Sequence, residues 1–158
     1  MSVTTDEPRN SAATQIKLRP ATPADTSFIL NSWLRSYWEA SPFVRGVPKE
    51  TFFHEHHALA TQLLQTSRTL VAYPAAGPED LIVGWACGET TREHTLLLHY
   101  VYVKEAFRRW GGAQTLVHGL TFDFNSQTVV ATHLTPRTEH GFIPYSPYVL
   151  LNRKSTPL

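Results

Sequence analysis

The sequence predicts a single domain of the α/β class, with a central mixed β-sheet and helices on both faces of the sheet. Its 158 residues, 42% apolar and 17% charged, are enough to bury one core. Short runs rich in β-branched and aromatic residues alternate with longer segments of helical spacing. Their order is β-α-α-β-β-β-α-β, and this mixed order is typical of a sheet covered on both faces.

The first half of the chain begins with one strand and two helices. Residues 1–14 are polar and aperiodic, so we expect a flexible tail before a domain spanning residues 15–158. Ile16 and Leu18 alternate with basic residues and predict a strand. Residues 22–25, Thr-Pro-Ala-Asp, predict a helix start with a capping box, and Ser41-Pro42 predicts its end. A second helix is predicted from Pro48, with these residues on one side: Phe52, His56, Leu59, Leu63 and Leu64.

The second half supplies the rest of the sheet. Strands are predicted at residues 69–73, 81–89, 95–103, 128–132 and 148–151, and the second and third pair through the polar turn 90–94. A long third helix is predicted from the spacing of its apolar face: Ala113, Leu116, Val117, Leu120 and Phe124.

Composition excludes several classes of function. The formal net charge is +1, which is too weak a bias to indicate binding to nucleic acid or to a membrane surface. No apolar run reaches 18 residues. Cys87 is the single cysteine, so an internal disulfide is impossible, and we expect a buried thiol in a cytoplasmic protein.

The strongest functional signal is the junction after the strand that ends at residue 103. A short polar turn follows that strand, then Gly111 and Gly112, and then an amphipathic helix. This order places backbone N–H groups and a positive helix end beside a buried strand, which favours binding of a phosphate ester. A P-loop hydrolase is disfavoured because no Gly-Lys-Ser/Thr follows the glycines.

This junction also carries a family resemblance. The run Arg108-Arg109-Trp110-Gly111-Gly112-Ala113 matches the Arg/Gln-x-x-Gly-x-Gly/Ala signature of the GNAT superfamily of acyl-CoA-dependent N-acyltransferases. Residues 18–25 resemble the opening strand and helix of that family, and residues 81–89 resemble its third strand. The resemblance covers about residues 16–132. The fourth helix of the family is missing or reduced to a turn at residues 136–140.

The resemblance implies how acetyl-CoA would be held. Loop amides of Arg109, Trp110, Gly111, Gly112 and Ala113 would bind its pyrophosphate, and the side chains of Arg108 and Arg109 would add positive charge. The backbone of the fourth strand, at Tyr100, Val101, Tyr102 and Val103, would pair with the pantetheine arm. A β-bulge there would aim an N–H group at the thioester carbonyl, an effect worth ~3 kcal/mol.

The same resemblance implies an activity and its candidate residues. The protein would transfer an acetyl group to an amine by direct attack in a ternary complex, and the acceptor would be a small molecule or a protein amine. A base must deprotonate the amine. The candidates are Glu93 and Glu89, followed by His94 and His99. Tyr145 or Tyr148 would protonate the leaving thiolate.

Two alternatives remain open at this stage. The first is a non-catalytic member of the fold that serves as a binding or structural module, as in C-terminally reduced relatives encoded by phages. The second concerns assembly. Residues 148–151 can pair two copies into a homodimer, and a monomer is the other possibility.

We expect no metal site. His54 and His57 lie three residues apart on the second helix, but the HExxH zinc pattern is absent, and a solvated helix face is favoured.

Overall fold

The computed structural model describes residues 15–121, 127–135, 143–148 and 150. The sheet contains five strands: β1 (Ile16–Pro20), β2 (Arg68–Pro74), β3 (Gly84–Thr90), β4 (Leu96–Val103) and β5 (Val129–Ala131). Three α-helices accompany it: α1 (Thr26–Ala40), α2 (Lys49–Thr66) and α3 (Gly112–Leu120). Shorter 3-10 turns occupy Pro23–Asp25, Pro42–Val44 and Glu105–Trp110.

The strand order confirms the predicted mixed sheet. Strands β1 to β4 form an antiparallel meander in sequence order, and β5 joins the far edge parallel to β4. Helices α1 and α2 cover one face through a core that includes Trp33, Leu63 and Trp85. Helix α3 covers the other face through Leu116 and Leu120. The helices therefore lie on both faces, as the element order predicts.

The start of α1 confirms the predicted capping box. The Thr22 N–H donates to the Asp25 carboxylate at 2.8 Å, and the Arg19 guanidinium donates to the same carboxylate at 2.7 Å. The hydrogen bond from Arg19 is the main reason why the pKa of Asp25 falls to about 2. The first turn, Pro23–Asp25, is 3-10 rather than α. Asp25 thus ties the end of β1 to the start of α1.

Three local predictions are corrected. Residues 81–83 are not part of a strand, because β3 begins at Gly84. Helix α3 is short, because the Thr121 N–H closes it on the carbonyls of Val117 and His118; Phe124 lies outside the described residues. The predicted strand at 148–151 is wrong where it is described, because the Leu150 N–H donates to the Pro147 carbonyl at 3.0 Å in a helical turn.

Other predictions fall where the structure gives no description. The N-terminal tail at residues 1–14 and the reduced fourth helix at residues 136–140 both lie outside the described ranges.

Among the helices of the described ranges, none is both long and apolar enough to cross a membrane. Cys87 is buried in the core beneath α1 and α2, as predicted.

Candidate functional site

A β-bulge interrupts β4 at His99. Cys87 on β3 pairs with Tyr100, but the next residue, Gly88, pairs with Leu98, which leaves His99 as the extra residue on β4. Such a bulge bends its strand and releases it locally from the ladder. The expected bulge is therefore present, one residue before the segment 100–103 that the resemblance assigns to the pantetheine arm.

The pairing between strands β4 and β5 ends at this bulge. Their pairing runs from Leu96 with Val129 to Leu98 with Ala131. The Thr132 N–H donates to the Leu98 carbonyl at 3.1 Å, and beyond it β4 continues to Val103 without β5 beside it. The other edge of β5 binds the segment near Tyr145, since Ala131 N–H donates to the Pro144 carbonyl at 2.7 Å.

The edge that β5 leaves uncovered presents main-chain groups. The Lys104 N–H donates to the Val83 carbonyl on the β3 side at 2.9 Å. Because hydrogen-bonding groups alternate along a strand, those of Val101 and Val103 face the opposite way, beyond the end of β5. In agreement, the Val103 carbonyl accepts from Arg108 Nε at 3.1 Å. An extended ligand can therefore pair with β4 at Val101.

The loop after β4 leads directly into a helix N-terminus. Gly111 adopts the left-handed conformation, with φ 72° and ψ 21°, between the 3-10 turn and α3. The Thr115 N–H donates to the Gly111 carbonyl at 3.1 Å, so the N–H groups of the preceding helical residues have no intrahelical acceptor. Arg109 is exposed beside them. The residues present thus fit an anionic phosphate, as the sequence motif predicts.

The two glycines of the motif have different roles. A Cβ on Gly111 would contact nothing within 4 Å, so only its positive φ requires glycine. A Cβ on Gly112 would lie 3.3 Å from Ile16 Cδ1 and 3.5 Å from Val103 Cγ1. Gly112 therefore permits close packing of α3 on the sheet, and a side chain there would disturb the core rather than reach the loop surface.

Gly111→Ala is expected to lower the free energy of unfolding by about 1 kcal/mol, because a non-glycine residue is strained at this φ. Gly111→Asn is the matched variant, since asparagine tolerates the left-handed conformation and is expected to lose less. Urea unfolding of both variants measures the difference. Equal losses would contradict a conformational role for Gly111.

The structure separates the predicted acid and base residues. Glu93 and His94 are exposed at the tip of the β3–β4 hairpin, where His94 has φ 62°. The strand from Leu96 to His99 alone spans about 10 Å at ~3.3 Å per residue, so this tip is remote from the bulge. That placement does not support either residue as the base. Glu89, in contrast, has Oε1 only 3.7 Å from Nε2 of His99.

The two candidate acids also differ. Tyr145 is partly buried beside β5, and burial raises its pKa. Burial raises the pKa of Tyr37 as well, and the charge of Tyr145 raises it further. Tyr148, in contrast, is 69% exposed. The structure therefore favours Tyr145 over Tyr148.

A buried chain of imidazoles, which the sequence motif did not indicate, begins at the bulge. His99 Nδ1 lies 2.8 Å from Thr132 Oγ1, and that hydroxyl lies 3.0 Å from His133 Nδ1. His133 Nε2 lies in turn 3.1 Å from His56 Nε2 on α2. We call these residues, together with Glu89, the histidine chain. The sequence signal was limited to His56 on the apolar side of α2 and to a Thr-His pair directly after a predicted strand.

Burial determines the charge of the histidine chain. It lowers the pKa of His56 and of His99 from 6.5 to about 4 in each case. Burial also lowers the pKa of His133 well below 6.5, and the charges of His56 and His99 add to that effect. All three imidazoles are therefore neutral at pH 7. Aromatic rings of Trp33 and Tyr37 contact both His56 and His133.

The Glu89 end of the histidine chain is connected to a cavity through Ser67. Ser67 Oγ lies 3.4 Å from Glu89 Oε2, and Ser67 lines a cavity of about 280 Å³ between the start of α1 and the end of α2. Three threonine hydroxyl side chains contribute to the same lining: Thr22, Thr26 and Thr69. A space of this size and polarity can hold several waters.

The two remaining histidines of α2 lie on a solvated face of the helix. His54 and His57 are exposed on the solvent side of the helix. Within the described ranges, no group of three or more His, Cys, Asp or Glu side chains is arranged to hold a metal ion.

Three comparisons with known proteins were informative to different degrees, and the one with solved structures agrees with the fold. No family model matches the chain, and no curated protein matches its sequence. Among solved structures, the candidate acetyltransferase YycN from Bacillus subtilis superposes with a TM-score of 0.59 at 17% identity, over 91% of this chain and 93% of that chain.

Two further solved structures are similar in extent. A GCN5-related N-acetyltransferase from Ralstonia eutropha JMP134 has a TM-score of 0.57 at 13% identity, over 91% of this chain and 94% of that chain. A ribosomal-protein-alanine N-acetyltransferase from Brucella melitensis biovar Abortus 2308 has a TM-score of 0.50 at 15% identity, over 91% and 93%. The mixed sheet, the bulged fourth strand and these superpositions together show that the chain has the fold of the GNAT acetyltransferases.

Proposed function

We propose that the protein is an N-acetyltransferase that moves an acetyl group from acetyl-CoA to an amine by direct attack in a ternary complex. The observation that carries the proposal is the divergence of β5 from β4 at the His99 bulge, directly upstream of the Gly111 turn and the α3 N-terminus. The solved proteins that share the fold are described as acetyltransferases, which supports the same reaction class.

The chain supplies groups for each part of the donor. Main-chain N–H groups around Gly111 and Gly112, with the exposed Arg109, suit the pyrophosphate. The edge of β4 that β5 leaves unpaired at Val101 suits the amide groups of the pantetheine arm. Backbone N–H groups at the bulge would stabilise the negative charge that develops on the carbonyl oxygen, worth ~3 kcal/mol. Acetyl-CoA itself would supply the activated thioester.

The acid and base follow from what the structure brings near the bulge. As the amine nitrogen bonds to the acetyl carbon, the carbon–sulfur bond breaks and its electron pair stays on sulfur. The proton of the amine must go finally to a base, for which we propose Glu89; the proton reaches it through the histidine chain, whose last member, His99, has Nε2 3.7 Å from Glu89 Oε1. Tyr145 is the proposed donor of a proton to the thiolate.

The first experiment is binding of acetyl-CoA, followed by thermal unfolding. At 100 times its Kd the ligand is expected to add about 2.7 kcal/mol to the free energy of unfolding. Arg109→Glu is expected to weaken this stabilisation, because it reverses a charge beside the phosphate site. Arg92→Glu, an exposed reversal at the hairpin tip, serves as the charge-matched control and should bind normally. No stabilisation of the wild type at millimolar acetyl-CoA would rule out the proposal.

Thiol release then separates an enzyme from a non-catalytic binding module. Acetyl-CoA is incubated with small amines, with a peptide that has a free N-terminus, and with a blocked peptide that contains lysine. Release of CoA that depends on one of these amines identifies the acceptor class. Binding without release for any acceptor would favour the non-catalytic alternative.

A further inference from the structure

The histidine chain crosses the core beneath α1 and α2 without interruption in its first three contacts. The distances are 3.1 Å from His56 to His133, 3.0 Å from His133 to Thr132 and 2.8 Å from Thr132 to His99. The last contact, from His99 Nε2 to Glu89 Oε1, is 3.7 Å and is within ion-pair range but longer than a hydrogen bond. The side chains of His99, Thr132 and His133 are almost fully buried, with residue exposures of 1%, 2% and 2%.

Because its imidazoles are neutral, the chain has only two self-consistent arrangements of protons. A neutral imidazole has one N–H donor and one acceptor nitrogen, and a hydroxyl donates one hydrogen. If the Thr132 hydroxyl donates to His99, it accepts from His133 Nδ1–H, and His133 Nε2 then accepts from His56 Nε2–H. If Thr132 donates to His133 instead, every one of these bonds reverses.

Glu89 selects between the two arrangements. In the first, His99 carries its proton on Nε2, which points toward the Glu89 carboxylate at 3.7 Å. In the second, a lone pair of His99 would face that carboxylate across the same distance in a low-dielectric interior. His99 Nε2 has no hydrogen-bond partner among the described residues, so the carboxylate determines its preferred state. The first arrangement is therefore the resting one.

In that resting arrangement the chain has a proton acceptor at one end and a base at the other. The lone pair of His56 Nδ1 is the acceptor, at a residue that is only half-buried between α1 and α2. The Glu89 carboxylate is the base, and its side chain is 19% exposed and next to Ser67, which lines the polar cavity. The middle of the chain lies at the end of the β4–β5 pairing.

We propose that the histidine chain is a proton relay that takes the proton of the acceptor amine at His56 and delivers it to Glu89, from which the water of the cavity receives it. This role rests on the proposed acetyl transfer. A proton that binds His56 Nδ1 releases the Nε2 proton to His133 Nε2. His133 then passes its Nδ1 proton to Thr132, Thr132 passes its own to His99 Nδ1, and His99 passes its Nε2 proton to Glu89. One proton enters, one leaves, and no redox partner is needed.

The resting arrangement is tested by nitrogen-15 NMR of the imidazoles in the free protein at pH 7. We expect His99 and His56 to be protonated at Nε2 and His133 at Nδ1. This readout needs neither acetyl-CoA nor an acceptor. The opposite set of tautomers, or charged imidazoles at this pH, would overturn the relay as proposed.

The relay itself is tested with Thr132→Val, which keeps the shape of the side chain and removes the hydroxyl. We expect kcat for amine-dependent thiol release to fall about 100-fold, the lower end of what a positioned base contributes, while stabilisation by acetyl-CoA is unchanged. Thr132→Ser restores a hydroxyl and should recover most of the rate. His57→Gln, an exposed change on the same helix, should have no effect.

The outcomes distinguish the two proposals. If Thr132→Val retains the wild-type kcat, the relay is overturned while acetyl transfer stands. If Thr132→Val is slow but Thr132→Ser is equally slow at normal stability, the hydroxyl is not the active feature and the relay is also overturned. If the wild-type protein releases no thiol with any amine, the proposed function fails, and the relay fails with it because it has no reaction to serve.

Discussion

Lowering the pH from 7 to 4 is expected to remove on the order of 6 kcal/mol of folding stability through His56 and His99. Each of these residues has its pKa lowered by burial from 6.5 to about 4. Between pH 6.5 and pH 4 the unfolded chain therefore binds protons at these histidines that the folded chain does not bind. Stability is fully present above about pH 6.5 and is lost as the pH falls toward 4.

This loss is comparable to the whole stability of a typical domain, so acid unfolding is expected within the same range. His133 adds to it, because burial lowers its pKa well below 6.5 as well. Asp25 does not contribute to this loss between pH 7 and pH 4. Its pKa is lowered from 3.8 to about 2, so the stability that it contributes is lost only at lower pH.

The measurement is urea unfolding, followed by tryptophan fluorescence at several pH values between 7 and 4. His56→Gln should reduce the dependence on pH by about one proton, whereas the exposed His57→Gln should leave it unchanged. A urea midpoint that is the same at pH 7 and pH 4.5 would show that the histidine chain is not buried in a neutral state.

Trp33→Ala is expected to cost roughly 3–5 kcal/mol, the range for removing a large aromatic side chain from a core. Trp33 is fully buried, and its ring stacks on Tyr100 with centroids 5.4 Å apart. It also lies 5.3 Å from the rings of Trp85 and His133. This one side chain thus links α1, the bulged strand and the histidine chain.

Two phenylalanine variants separate packing from hydrogen bonding. Trp33 Nε1 has no hydrogen-bond partner among the described residues, whereas Trp85 Nε1 donates to Ser32 Oγ at 2.8 Å. Both residues are fully buried. Trp33→Phe should therefore cost less than Trp85→Phe, by about 1 kcal/mol, because only Trp85→Phe loses a hydrogen bond. The reverse order in urea unfolding would contradict the assigned contacts.

Local sequence predicted the elements whose causes are local. The capping box between Thr22 and Asp25, the end of α1 before Pro42 and the glycine turn at 111 each depend on residues a few positions apart. The failures have local causes too. Apolar residues near 150 suggested a strand, but Pro147 begins a helical turn there. The short α3 reflects its closure at Thr121, which apolar spacing does not reveal.

The site was only partly predictable, because it combines one local motif with contacts between distant segments. The proposed phosphate site lies within residues 108–113 and can be recognised from consecutive residues. The contact of His133 with His56 joins positions 77 residues apart, and that of His99 with Thr132 joins positions 33 apart. No pattern along the chain indicates such pairs, so the sequence does not separate Glu93 from Glu89, whereas the structure places Glu93 in solvent at the hairpin tip.

The bulge at His99 also reverses the alternation of β4. Leu96 and Leu98 face α3 before the extra residue, and Val101 and Val103 face α3 after it, while Tyr100 and Tyr102 face α1 and α2. The bulge is thus as important as composition in deciding which side chains of β4 face each layer of helices. If His99 were paired in a regular ladder without a bulge, the two tyrosines would turn toward α3 and the valines would face the helices on the other side.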